Sequence, residues 1–166
     1  MKSKEIIDKI NEITGLELNL SNDGSANFVY DERNVLLHFE EELGICIIYV
    51  ELTTLSPAAV SAVIPRLLEA NFLFLQTNGG ALSFQKDTRM VSLNFMVPCS
   101  EHTDSDGFID ILNRSLSTAD EWTQKVKNMN DEIMSYRKKG TNQTNGISTG
   151  DTASQQQFSA YNFMNV

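Results

Sequence analysis

The residues most able to do chemistry are His38, His102, Cys46 and Cys99. A zinc site would need them in HxxxH, HExxH or CxxC spacing, and no such pattern surrounds them. His38 in VLLHFE reads as a strand residue on the polar face, and His102 as part of an acidic loop with Glu101 and Asp104. Neither cysteine has a credible histidine partner for nucleophilic catalysis, and there is no G-x-S-x-G elbow. Ser83 and Ser92 alternate with apolar neighbours, which is ordinary strand patterning. Gly79-Gly80 precede a strand-like run, whereas a phosphate loop leads into a helix N-terminus. They read as backbone permissiveness. Glu40-Glu41-Glu42 reads as a solvated turn. With no convergent set of catalytic groups, the chain reads as a non-enzyme that needs no cofactor and no metal.

What must these residues sit on? The chain has 166 residues and is 41% hydrophobic, enough for one cored domain. Its formal net charge of -9 repels phosphate backbones, so nucleic acid and anionic membrane are poor partners. The longest apolar run, Ile45 to Val50, is far below the roughly 20 residues of a membrane helix. The N-terminus, MKSKEIIDKINEITG, scatters charges among its isoleucines and lacks a signal-peptide core. A cytoplasmic protein is expected; there Cys46, inside a strand-like run, reads as a buried free thiol, and a Cys46–Cys99 disulfide is the disfavoured alternative.

Ile6, Ile7, Ile10 and Ile13 recur at helical spacing over residues 3–14, ended by Gly15. The period then becomes two. Leu16, Leu18 and Leu20 alternate with polar residues, as do Ala26, Phe28 and Tyr30 after the Ser21–Gly24 turn. Strands follow at Val35–Phe39 and Gly44–Glu51, the latter apolar on both faces and therefore central. A second helical region covers residues 56–74, with Ser56 as N-cap; Pro57 and Pro65 are both open as its start. After Asn78-Gly79-Gly80 come strands at Ala81–Gln85 and Met90–Val97, joined by a hairpin at residues 86–89. A long amphipathic helix begins at Ser105 or Asp106 and runs to about Tyr136. From Gly140 the composition turns to Gly, Ser, Thr, Asn and Gln, a flexible polar tail. We divide the chain into a domain at residues 1–138 and a tail at 139–166. The tail closes with Phe158, Tyr161, Phe163 and Met164, either a short docking motif or a plain solvated end.

The order is α-β-β-β-α-β-β-α. Together with LLEANFLFLQTNGGALSFQKDTRMVSLNFMVP, it resembles the class I type III secretion chaperones, the Tir chaperone family. Leu67, Leu68, Asn71, Phe72, Gly79, Gly80, Ala81, Leu82, Leu93 and Pro98 carry the resemblance, with Trp122 in the closing helix. It covers roughly residues 3–130. The long closing helix and the tail depart from the family pattern. The resemblance implies an α+β fold, an antiparallel twisted sheet with helices packed on it, assembled as a homodimer. It implies a chaperone that holds the N-terminal segment of a secreted effector in extended form. It brings in the secretion ATPase as a further candidate partner. The alternative is a non-catalytic adaptor domain that binds a folded protein.

Within that reading, Ile6, Ile10, Leu18, Phe28, Tyr30 and Leu36 are candidates to contact the effector. For each of them, packing in the core is an equal alternative, because strand alternation always buries one face. Leu68, Phe72, Phe74, Leu82 and Phe84 are candidates for the dimer interface. Phe72 to Leu75 are four consecutive apolar residues, more than one core face easily hides, and a two-fold contact would cover them.

Overall fold

A computed structural model describes residues 2–144 of the chain. The elements are α1 (Lys2–Thr14), β1 (Ser25–Tyr30), β2 (Arg33–Glu40), β3 (Ile45–Thr54), α2 (Val60–Ala70), a 3-10 turn (Phe72–Phe74), β4 (Ala81–Gln85), β5 (Met90–Pro98) and α3 (Ser105–Thr144). The strands form one antiparallel sheet in the order β1-β2-β3-β5-β4. The apolar β3 is central, as its two-faced composition requires.

Alternation sorts each strand between two faces. Ala26, Val35, Leu37, Ile48, Val50, Leu93 and Val97 point to one side, where they are buried together with Ile6, Ile7 and Ile10 of α1, Val63 and Leu67 of α2, and Phe108, Trp122 and Val126 of α3. Helix α3 lies along this face. Its start packs Phe108 against Phe39, with ring centroids 6.2 Å apart, and Asp104 caps it by accepting from the Gly107 N–H at 3.2 Å. Its middle is tied to the β1–β2 turn, where the buried Arg33 guanidinium donates to Asp120 and, at 2.9 Å, to Thr123 Oγ1.

The Leu16–Leu20 alternation does not make a strand; residues 15–24 carry no sheet pairing. Asn11 of α1 supplies what a neighbouring strand would. Its Oδ1 accepts from the Leu18 N–H at 2.8 Å and its Nδ2 donates to the Leu18 carbonyl at 3.0 Å. Asn71, just past α2, makes the same pair of bonds to Leu82 at the same distances. Helix α2 starts at neither proline. Pro57 sits in the turn before it, Pro65 lies inside it on the exposed side, and Ala59 is the cap residue. Ser56 is held instead by Asn130 of α3, to which its N–H and hydroxyl both donate. Helix α3 continues to Thr144, past the expected end near Tyr136 and into the segment read as tail.

Candidate functional site: two uncovered apolar surfaces

The first surface stands at the end of α2. Phe72, Leu73, Phe74 and Leu75 are 73, 65, 50 and 76% exposed, and Leu68 one turn earlier is 65% exposed. The backbone holds them outward. Leu73 and Phe74 have φ of 54° and 56°, a left-handed conformation that is unusual for bulky side chains and costs on the order of 1–3 kcal/mol each. Several contacts fix this turn from below. The buried Thr77 hydroxyl donates to the Gly80 carbonyl, and the Trp122 indole N–H donates to the Gln76 carbonyl at 3.0 Å. Gly79 takes φ +91°, and a Cβ on Gly80 would stand 2.7 Å from the Phe95 ring. The glycine pair is therefore required by a left-handed turn and by a close ring contact.

The second surface is the sheet face away from the helices. Cross-strand pairing places Leu36 beside Tyr49, Ile47 beside Met96, and Ile45 beside Pro98. Leu36, Ile45, Ile47 and Tyr49 are half-buried, and Met96 is 70% exposed. Asn27, His38 and Asn94 edge this apolar band with polar groups. Beside it, β4 pairs only with Met90–Asn94, while β5 runs on to Pro98. The end of β5 thus faces a cleft of about 590 Å³ instead of a strand, closed on its far side by Ile111, Arg114 and Thr118 of α3.

The candidate residues from the sequence divide between these surfaces and the core. Ile6 and Ile10 are fully buried, because α1 turns its isoleucine stripe into the sheet; they have no surface to offer an effector. Leu18, Phe28 and Tyr30 are half-buried on the helix-covered side, packed against the core. Leu36 lies on the open face. Of the interface candidates, Leu68, Phe72 and Phe74 are exposed together, Phe84 is half-buried and Leu82 is 5% exposed. Leu82 faces inward because it is the cross-strand partner of the buried Leu93. Ile45, Ile47, Tyr49 and Met96 were missed. Two-faced apolarity in β3 was read only as a sign of a central strand, and it equally signals a second surface.

The reactive side chains have structural roles. Ser25 Oγ lies 2.8 Å from His38 Nδ1, and His38 Nε2 lies 2.9 Å from Glu40 Oε1. The Ser25 N–H is already donated to Ser21 Oγ, and so is not free to hold an oxyanion. Burial raises the Cys46 thiol to about 12 and pushes the Cys99 thiol up as well, so neither is a ready nucleophile. The Asp120 carboxylate raises the Tyr30 phenol. Among the described residues no three His, Cys, Asp or Glu side chains gather as a metal site, and no helix is long and apolar enough to cross a membrane.

The antiparallel five-stranded sheet with helices packed on it matches the fold of solved type III secretion chaperone complexes. The ExsC–ExsE complex matches at TM-score 0.64 and 19% identity, over 74% of this chain and 92% of that one. The ExoU–SpcU complex of the Pseudomonas aeruginosa type III secretion system matches at 0.55 and 22%, over 76% and 98%. The Yersinia pestis type III secretion chaperone SycH, in complex with a fragment of YscM2, matches at 0.54 and 14%, over 70% and 96%. The family model of the Tir chaperone protein (CesT) family matches residues 5–123, and the chain belongs to that family. No curated protein matches it.

Proposed function

We propose that this protein is a cytoplasmic, non-catalytic type III secretion chaperone. It binds the N-terminal segment of a secreted effector, holds it extended, and delivers it to the secretion apparatus and its ATPase. The observation that carries this reading is the open apolar sheet face, Leu36, Ile45, Ile47, Tyr49 and Met96, in a member of the Tir chaperone family. An extended chain suits such a face. Its alternate side chains can enter the apolar band while its main chain bonds to an unpaired strand edge, as at the end of β5. Ordering such a segment costs about 2–5 kcal/mol, so a long contact is needed. A dimer doubles the surface on offer. We assign the interface to Leu68 and Phe72–Leu75, whose strained, outward-held backbone is supported from within the fold.

Co-expression with N-terminal fragments of neighbouring secreted proteins tests the reading. The expected result is a stable complex with a fragment that otherwise aggregates, lost on Ile47→Asp or Met96→Asp. Binding of a folded partner and of no extended fragment would establish the adaptor alternative instead. Light scattering at micromolar concentration should give a dimer mass for the wild type and a monomer mass for Phe72→Asp/Leu75→Asp. A wild-type monomer would remove the interface assignment.

A further inference from the structure

The aromatic stretch Phe158–Met164 lies outside the described residues. Within them, one cation stands apart, at the cleft between β5 and α3. We propose that Arg114 selects the segment that enters this cleft: it pairs with an aspartate or glutamate of an extended chain that adds beside the end of β5. The inference deepens the function proposed above and rests on it.

The backbone decides how a chain would enter. The Cys99 N–H donates to the Gly44 carbonyl at 2.7 Å, so in the register of β3 with β5 the odd-numbered residues of β5 bond to β3. The main-chain groups of Asn94 and Met96 therefore point the other way. Asn94 stands opposite Ala81, where β4 begins, so the Met96 N–H and C=O have no strand opposite them and face the cleft. Pro98, next in phase, has no N–H, and its carbonyl accepts from Thr103 Oγ1 at 3.4 Å. One donor and one acceptor can set the register of an added strand, but they are blind to its sequence.

Selection falls to the side chains. A strand added here extends the sheet, so its side chains alternate between the two faces. One set continues the apolar band past Met96. The other turns to α3, where Ile111, Arg114 and Thr118 follow one another along a single helix face. The buried hydroxyls of that wall are already engaged. Ser115 donates to the Ile111 carbonyl at 2.8 Å; Thr118 donates to the Arg114 carbonyl at 2.8 Å and accepts from Asn78 Nδ2 at 3.0 Å. Arg114 differs. Its guanidinium makes no hydrogen bond or ion pair with a described residue. Lys2, Lys9, Arg33, Arg66 and Lys125 each have a carboxylate partner, in a chain where acids outnumber bases by 22 to 13. An Arg left uncommitted beside an apolar-walled cleft fits a carboxylate, whose two oxygens match the guanidinium fork. Glu121, seven residues and roughly 10 Å further along α3, also lines the cleft and is paired with Lys125 at 3.9 Å. It repels a second acid at that end. The favoured segment therefore alternates apolar residues with a set that carries one acid, placed opposite Arg114.

The probes are short peptides of alternating Val and Ser, blocked at both ends, with one central Asp, Asn or Lys. Each is titrated into the full chain, as wild type, R114Q and R114E, and binding is followed by NMR at the Ile111 and Thr118 methyls that line the cleft. Arg114 is exposed, so all three proteins should melt alike. The wild type is expected to bind the Asp peptide about 3–10-fold more tightly than the Lys peptide. R114Q should level that preference and R114E should reverse it. An unchanged order of affinities in R114E would overturn the proposal. So would an absence of shifts at Ile111 and Thr118, or shifts confined to Ile47 on the open face or to Leu73 and Leu75 on the α2 patch. The co-expression test separates this failure from that of the chaperone reading. An effector fragment retained equally by wild type and R114E would end the role of Arg114 alone, whereas no fragment retained by either would remove both.

Discussion

The two faces of the sheet arise from one alternation, yet they differ in what completes them. On the helix-covered face, Val35, Leu37, Ile48 and Val50 are fully buried beneath α1, α2 and α3. On the open face, their immediate chain neighbours Leu36, Ile47 and Tyr49 are only half-buried, beside cross-strand neighbours such as Met96 and Asn94 and under no helix. Large apolar residues are therefore not distributed only by the demands of the protein's own core. One face stabilises the fold, and the other leaves free energy to be gained from a partner.

If that contrast is right, damage to the two faces should separate cleanly. The largest effect is expected at Trp122, 2% exposed and bonded to the Gln76 carbonyl. Trp122→Ala should cost about 3–5 kcal/mol in denaturant melts. Next come the supports of the glycine turn. Gly80→Ala drives a methyl into the Phe95 ring, and Asn71→Ala leaves the Leu82 backbone short of two bonds; about 1–3 kcal/mol is expected for each. A smaller and pH-dependent effect belongs to Cys46. Burial holds its folded pKa at about 12 against 9.0 for a free thiol, so its contribution is intact below pH 9 and is lost as pH rises towards 12, by up to about 1.4 kcal/mol per pH unit. Chemical denaturation at pH 8 and pH 10, wild type against Cys46→Ala, isolates that slope. The smallest effect is expected on the open face, where Met96→Glu should change stability by less than ~1 kcal/mol. A Met96→Glu protein that melts like Trp122→Ala would erase the distinction between the faces.

Much of this fold is legible in the sequence. The strand Ala81–Gln85 agrees with its periodicity to the residue, and α3 starts at Ser105, one of the two positions read for it. Consecutive apolar residues at Phe72–Leu75 correctly announce an exposed patch, because no single face can hide four in a row. The misses share a physical cause. Leu16–Leu20 alternates like a strand, but pairing is decided by a distant donor and acceptor, and Asn11 supplies them from a helix. Asn is a poor helix residue, and its presence in α1 was the available clue. For Ile6 and Ile10 effector contact and core packing stood as equal alternatives, because periodicity shows that a helix has an apolar stripe without showing what the stripe faces; both are buried. The open face was missed for the same reason: Ile45, Ile47 and Tyr49 look like core until the side carrying the helices is known.

Helix α3 adds a consequence in time. It comes after every strand, yet Phe108, Trp122 and Val126 close the core over strands made much earlier. During synthesis, which proceeds at about 5–20 residues per second, the sheet must wait about 1–6 seconds with its helix side covered by α1 and α2 alone. A chain cut short before Val126 would stay in that condition. Prematurely ended products of this gene should therefore be marked for proteolysis, while a chain that has cleared the ribosome past Val126 can close its core and leave uncovered only the open sheet face and the Phe72–Leu75 patch.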